Sequence, residues 1–519
     1  MITFGMTTVY VVSRYHPIEC FSKTVGSYVD VNCKGDGENN ELVVSRSPTN
    51  AAGEEIALDE ISKINDEMDD FNHPRRRRAL ILRQLYQRCK TMTTTTTKSV
   101  ATKIYFETPA SAKKNIENDN DDYNPMDLYR KVHSQGLMTF LSTAWKEWEA
   151  LGQNGRDPSC IPFHSLLMED DSSSSSNSNE RKARIPPLIP CNFPLPREHN
   201  GGSHHPQRSS KNVMGKIGYY CTDTCTPIIS ELVEELISDA STVSAAVDIA
   251  INHRGSGNKE KEKESTVVYA LCTHPGHHAS HDSFGGYCYV NNAALAARLL
   301  QERVSISQLP STANKPPRVA ILDVDYHCGN GTASIFYNDP TVLVVSIHCH
   351  PDFDYPFHTG FGDETGGDDA KGCTLHVPLL PGTTWHGEYQ TALLDRAGKA
   401  ISSFNPDAFV LSLGLDTYID DPCAIRRAGF KLKGRDCPTS GSEKSDDNRN
   451  NNSNSDYDCM GRAVGEIIVG CSNERNAIDE TRRTIPTIVL QEGGYEMNAV
   501  PSAAADVLLG MAAAMGNVK

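Results

Sequence analysis

The sequence predicts an α/β fold, a mostly parallel sheet with helices on both faces. Three observations point there. From Val267 onward, short runs rich in Val, Ile and Leu (VVYALC, RVAILDVD, TVLVVSIH, AFVLSLGLD and PTIVLQ) recur, with helical segments between several of them. The runs are apolar nearly throughout, as strands covered on both faces are. Several also end in a burst of polar residues, where an open parallel sheet places its ligand-binding groups.

Taken in order, Val9 to Val12 reads as a first strand. The N-terminus has no charged head followed by a long apolar core, so it looks like a strand and not a signal peptide. Residues 1–23 are assigned to this strand and 24–70 to a polar low-complexity insert rich in Gly, Asn, Asp, Glu and Ser. Residues 71–122 read as a basic helix and a disordered linker. Arg75 to Arg78, ahead of ALILRQLYQRC, reads as the solvated start of that helix rather than a nuclear-localisation patch. Thr93 to Thr97 and Glu117 to Asp122 look like loop or disorder. The principal domain spans 123–519, with inserts at about 170–182 and 434–457. Within it Leu128 to Leu151 is helical, with Leu137, Phe140, Leu141, Ala144 and Trp148 at helical spacing. Ile228 to Ile251, Asn291 to Gln301 and Glu388 to Phe404 give further helices.

The chain has 519 residues and a formal net charge of −16. That charge argues against direct nucleic-acid binding and against an anionic membrane surface. Its 16 cysteines are scattered without a CxxC pair, which suggests reduced, intracellular thiols. No apolar run approaches the roughly 18 residues that span a membrane. The compartment is expected to be cytoplasmic, nuclear or both.

The chemistry concentrates at strand ends. RVAILDVDYHCGNGT runs from buried apolar residues into Asp323, Asp325 and His327, spaced two apart and so expected on one face of a strand. Buried carboxylates and an imidazole together call for a divalent metal, because unpaired buried charge is very costly. VVYALC leads into His277 and His278, AFVLSLGL into Asp416, and PTIVLQ into Glu492, Gly493, Gly494 and Tyr495. Four strands thus deliver reactive groups to one edge. Asp325, His327 and Asp416 supply three ligands and leave a position open, as catalytic zinc sites do. Such a metal would acidify water and polarise a carbonyl. His277 or His278 could serve as general base, with Asp323 and Asn330 as the orienting partners of the two imidazoles. Tyr495, after two glycines, would donate to the developing oxyanion. A binuclear hydrolase would need a carboxylate two residues after the ligand His, where Gly329 stands.

HPGHHAS, FGGYCYVNNAALAA, LDVDYHCGNGT, SLGLDTYIDDP and EGGY together resemble the zinc-dependent histone deacetylase superfamily, and within it the acetylpolyamine amidohydrolases. HSQGLMTFLSTAWKEWEALG and GKIGYYCTDTCTPI resemble that branch in particular. The likeness covers Tyr123 to about Met515, the first strand and the Arg-rich helix. It implies an arginase/deacetylase-like three-layer fold with eight strands, and Zn2+ on Asp325, His327 and Asp416. It also implies the dyad His277 and His278, partnered respectively by Asp323 and Asn330, with Tyr495 as oxyanion donor. A structural K+ would involve Asp323, Asp325, His327, Ser346 and Ile347. Tyr287 and Tyr355 would wall the substrate tunnel, with Gly286 beside the scissile bond.

Some positions depart from the family. Cys328 stands where a second His is usual, His274 where Pro is common, and Thr273 in place of an Arg. Acidic entrance positions are matched by Met214 and Cys225, with Asp223 close by, and a gatekeeping Glu by Cys423. The implied activity is hydrolysis of an N-acetyl amide, on an acetylpolyamine or an acetyl-lysine. The implied assembly is a possible homodimer through the loop at about 152–215. A non-catalytic acyl-lysine-binding scaffold on the same fold is the alternative.

Overall fold

The computed structural model describes residues 7–13, 102–107, 124–153, 187–194, 208–252, 265–307, 316–424, 429–435, 455–476 and 485–516, with Ile185 and isolated helical positions between 77 and 88. The expected inserts at 24–70, 172–182 and most of 434–457, and the stretches 93–97 and 117–122, lie outside these residues.

Eight strands form one sheet. They are β1 (Thr7–Val12), β2 (Thr102–Glu107), β3 (Ser265–Ala270), β4 (Val319–Asp323), β5 (Val342–Cys349), β6 (Thr374–Leu379), β7 (Ala408–Leu413) and β8 (Thr487–Gln491). Their order is β2-β1-β3-β8-β7-β4-β5-β6, and every pair is parallel. The eight-stranded parallel sheet is the expected one, with one correction. β2 lies inside the stretch read as a disordered linker, where TKIYFE pairs with β1 from Thr102 to Glu107. Its short apolar run is flanked by threonines and polar residues, so local pattern alone missed it.

Strand alternation sorts side chains between two cores. Val267, Tyr269, Leu322, Leu411 and Val489 face one; Val268, Ile321, Val410, Ile488 and Leu490 face the other. Helices α1 (Gln135–Gln153), α2 (Leu232–Asn252) and α3 (Asn292–Ser307) cover the second core. Helices α4 (Asp456–Asn476) and α5 (Val500–Gly516) cover the first. Full burial of each such aliphatic side chain contributes about 1.5–3 kcal/mol, which explains why both sheet faces are apolar.

Several element bounds move. A 3-10 turn over Pro125–Lys131 precedes α1 instead of one continuous helix. Val132 closes that turn, and Ser134 Oγ accepts the Leu137 amide at 3.0 Å, restarting the helix. Ile228 pairs as an isolated bridge with Leu188, so α2 begins only at Leu232.

The larger correction concerns the arginine run. Arg77 and Arg78 are not solvated: each is 3 % exposed, on a helical stretch whose Ile81, Leu82 and Leu85 are also buried. The guanidinium groups enter the protein to meet specific acceptors described below.

Candidate active site

The four strands that carry the polar ends are contiguous in the sheet, in the order β3-β8-β7-β4. Their carboxyl ends therefore face a single crevice. β4 stops at Asp323, so Asp325 and His327 lie just beyond the strand. Side-chain alternation along a strand does not place them. Backbone tethers do: Val324 N–H donates to Ser412 O at 3.0 Å, and Tyr326 N–H to Asp416 Oδ1 at 2.9 Å.

Asp325, His327 and Asp416 converge. His327 Nδ1 lies 2.9 Å from Asp416 Oδ2 and 3.3 Å from Asp325 Oδ1, and the three donor atoms fall within 4.8 Å of one another. Both carboxylates are fully buried. Burial and the neighbouring Asp325 charge push Asp416 up to about 7. Although burial opposes it, the flanking carboxylates hold the His327 imidazole well above its ordinary value. The donor set thus favours positive charge at its centre.

Asp323 is not one of the three converging donors; its Oδ1 accepts the Asp325 N–H at 3.0 Å. Its Oδ2 pairs with His277 Nδ1 at 2.9 Å, and Asn330 Oδ1 with His278 Nδ1 at 2.7 Å. The two rings lie 4.0 Å apart, centre to centre. Burial disfavours charge on both, but Asp325 and Asp323 lift His277 to about 10. Burial, then the cationic His277 and His327, push His278 well below the usual range. Two adjacent imidazoles are therefore pushed in opposite directions, His277 toward the cation by the Asp325 and Asp323 carboxylates and His278 toward the neutral ring by burial and by the cationic rings beside it.

The EGGY turn serves two strands. Glu492, fully buried, accepts Gly276 N–H at 2.6 Å and His277 N–H at 3.1 Å, which fixes the dyad backbone to β8. Gly493 N–H donates to Asp325 Oδ2 at 2.8 Å. Gly494 adopts φ +111°, a conformation other residues rarely take, and turns Tyr495 toward the crevice. Tyr495 N–H and Glu496 N–H donate to Asp421 Oδ2 at 2.6 and 3.0 Å. The Tyr495 ring lies 5.7 Å from that of Tyr287. Burial pushes its phenol well above 10, so it stays a donor.

Two of the residues expected at a tunnel wall lie close to the histidine pair or to Tyr495. Tyr355 meets the His278 ring edge-on at 4.7 Å, and Tyr287 is 43 % exposed at the rim. Gly286 N–H donates to Asp223, and Tyr287 N–H donates to Thr226 Oγ1 at 2.9 Å, which fixes Tyr287 at φ +63°. Asp223 also accepts from Cys225 N–H at 2.7 Å and Thr226 Oγ1 at 3.1 Å. Both its oxygens are engaged in bracing the wall. Ser346 pairs in register with Asp323, which places it beside Asp323 on the neighbouring strand β5, with Ile347 next along that strand.

Sequence reasoning missed several supports. Arg77 donates to Gly494 O at 3.2 Å, and its guanidinium lies 5.4 Å from the Tyr495 ring centre. Arg78 donates to Thr273 Oγ1 at 2.7 Å. His274 sits between two fully buried acids of α2, 3.2 Å from Glu235 and 3.4 Å from Asp239. The only sequence signal was Glu235 and Asp239 four apart on an apolar helix face.

The histone deacetylase domain pattern matches residues 124–434, more than half of the chain. The chain belongs to the histone deacetylase family. It is 31 % identical over 381 residues to acetylpolyamine amidohydrolase 2 of Pseudomonas aeruginosa, covering 73 % of this chain and 81 % of that relative. It is 30 % identical over 383 residues to acetylpolyamine amidohydrolase of Mycoplana ramosa, covering 74 % and 82 %. A crystal structure of acetylpolyamine aminohydrolase from Burkholderia pseudomallei superposes with a TM-score of 0.57 at 22 % identity, over 98 % of this chain and 99 % of that one. That likeness supports the fold. Membership of the histone deacetylase family makes the chain a hydrolase of the deacetylase type, similar to the acetylpolyamine amidohydrolases.

Proposed function

We propose that this chain is a zinc-dependent deacetylase that hydrolyses the acetyl amide of a linear amine, an acetylpolyamine or an acetyl-lysine side chain. One observation carries the reading. A two-carboxylate, one-imidazole donor set, a histidine pair with one ring favoured as cation and the other as neutral, and a buried phenol meet at the ends of four neighbouring strands.

Asp325, His327 and Asp416 would hold the zinc, and the donor chemistry fits: two buried carboxylates carry more negative charge than one imidazole balances. When bound, the ion supplies Lewis acidity to the substrate carbonyl and to water. The remaining roles belong to the protein. His278 is neutral, and with its Nδ1–H donated to Asn330 Oδ1 its Nε2 lone pair is free to take a proton. His277 keeps its proton beside Asp323 and stabilises negative charge developing nearby. Tyr495 donates to the oxyanion, a contribution worth about 10²–10³ in kcat at comparable sites. Tyr287 and Tyr355 confine the alkyl chain and Gly286 lines the reacting end. A structural K+ beside Asp323, Asp325, His327, Ser346 and Ile347 forms part of the same reading.

Asp223 already accepts from the Gly286 amide, the Cys225 amide and the Thr226 hydroxyl, which leaves about one of its four lone pairs and weakens it as a grip for a distal ammonium. Selectivity for polyamine over lysine carriers should therefore be modest. The test is side-by-side turnover of acetylputrescine, acetylspermidine and an acetyl-lysine peptide by wild type and Tyr495→Phe. Hydrolysis of at least one, lost in the variant, is expected. Equal turnover by wild type and Tyr495→Phe would refute the assigned roles.

A further inference from the structure

We propose that Cys328, His348 and His376 form a second, buried metal site for a divalent cation of borderline softness such as zinc, with the Gly360 carbonyl as a fourth donor. Each side chain is at most 1 % exposed. Cys328 immediately follows His327, whereas His348 and His376 stand on the neighbouring strands β5 and β6. Their donor atoms lie within 4.8 Å of one another.

The spacing suits tetrahedral coordination. Zinc–sulfur and zinc–nitrogen bonds of about 2.3 and 2.0–2.1 Å at a tetrahedral angle put sulfur and nitrogen about 3.6 Å apart. Cys328 Sγ lies 3.6 Å from His376 Nδ1. His348 Nε2 lies 2.9 Å from the Gly360 carbonyl oxygen, a hydrogen-bond spacing that must open to about 3.4 Å for both atoms to bind one tetrahedral ion. The two imidazoles are 5.3 Å apart at 74°, edge to face and not stacked.

One outer nitrogen is held as in metal-bound imidazoles, and the other faces a carboxylate beyond hydrogen-bond distance. His348 Nδ1 is 2.8 Å from Ser346 Oγ, and His376 Nε2 is 3.9 Å from Glu364 Oε2. Glu364 is itself fixed by the Gly360 and Phe361 amides at 2.9 and 3.0 Å. Glycine is also required at 360. A Cβ there would stand 2.8 Å from Cys328 Sγ and 3.0 Å from His348 Nε2, filling the space between the donors. A thiolate with two neutral imidazoles leaves one positive charge on a divalent ion, and the Glu364 carboxylate, 3.9 Å from His376 Nε2, is placed to balance it. Sulfur and nitrogen donors separate this site from the oxygen-rich set of Asp325 and Asp416, and the ion would brace β5, β6 and the 360–364 turn against His327.

The experiment uses the full chain loaded with cobalt(II), with metal content measured by mass spectrometry and thiolate-to-cobalt charge transfer by absorption. The variants are Asp325→Ala/Asp416→Ala, Cys328→Ser and His376→Gln. Wild type should hold two equivalents of metal and show the thiolate band. Asp325→Ala/Asp416→Ala should keep one equivalent with the band intact, which makes the result independent of the proposed catalysis. Cys328→Ser and His376→Gln should each lose that equivalent together with the band. Absence of both the retained equivalent and the band in Asp325→Ala/Asp416→Ala would overturn the site and leave a hydrogen-bonded cluster only. So would a band that survives Cys328→Ser.

Discussion

Asp421→Ala tests how Tyr495 is held. Asp421 is 7 % exposed and accepts the Tyr495, Glu496 and Cys423 amides at 2.6, 3.0 and 3.0 Å. Hydrogen bonds to a charged group contribute about 1.5–3 kcal/mol each. Relief of repulsion with Asp416 offsets part of the loss, so a net destabilisation of about 3 kcal/mol is expected. The larger effect falls on turnover. A misplacement of about 1 Å lowers rate about 10²-fold, and the phenol itself is worth about 10²–10³. Asp421→Ala should therefore lose about 10²-fold in kcat with KM changed little, because the phenol acts mainly in the transition state. Asp421→Asn, which keeps an acceptor, should recover most of this. The assay is steady-state deacetylation at saturating substrate, with Tyr495→Phe and the double variant alongside. If Asp421 acts through Tyr495, the double variant should be no slower than Tyr495→Phe by more than about threefold. Unchanged kcat in Asp421→Ala, or fully additive losses, would refute the positioning role.

Other outcomes follow from the same geometry. Glu235 and Asp239 overcome the effect of burial and raise His274 to about 8, against about 6.5 unfolded. The resulting stability, about 2 kcal/mol, is complete below pH 6.5 and lost as pH rises through 8. Urea unfolding of wild type and His274→Asn should differ most at pH 6 and converge above pH 9; an equal gap at both would contradict the pairing. Asp223→Ala removes the acceptor for Gly286 N–H and frees Tyr287 from its left-handed turn, so KM should rise about tenfold with kcat less affected. Unchanged KM would show that the turn holds without Asp223.

The sheet was legible because its strands are doubly buried and their carboxyl ends carry Asp325, His327, Asp416 and Tyr495 in short, dense motifs. Asp323 and Asn330 were legible as partners because each imidazole needs one, though the strand alternation first invoked for Asp323, Asp325 and His327 fails beyond Asp323. Arg77 and Arg78 were not legible. Four consecutive arginines read as solvated unless distant acceptors are known, and theirs are Gly494 and Thr273, more than 190 positions away. Asp421 and Asp223 were obscured for a related reason: both serve backbone amides, which leave no mark in composition. β2 failed because six residues carry too little pattern against a threonine-rich background.

The most direct measurement pairs zinc content with turnover on one sample, before and after chelation and after adding zinc back. Deacetylation should disappear as the Asp325, His327 and Asp416 set is emptied and return on reloading, while Asp325→Ala stays inactive throughout. Undiminished turnover by chain stripped of metal would contradict the proposed chemistry outright.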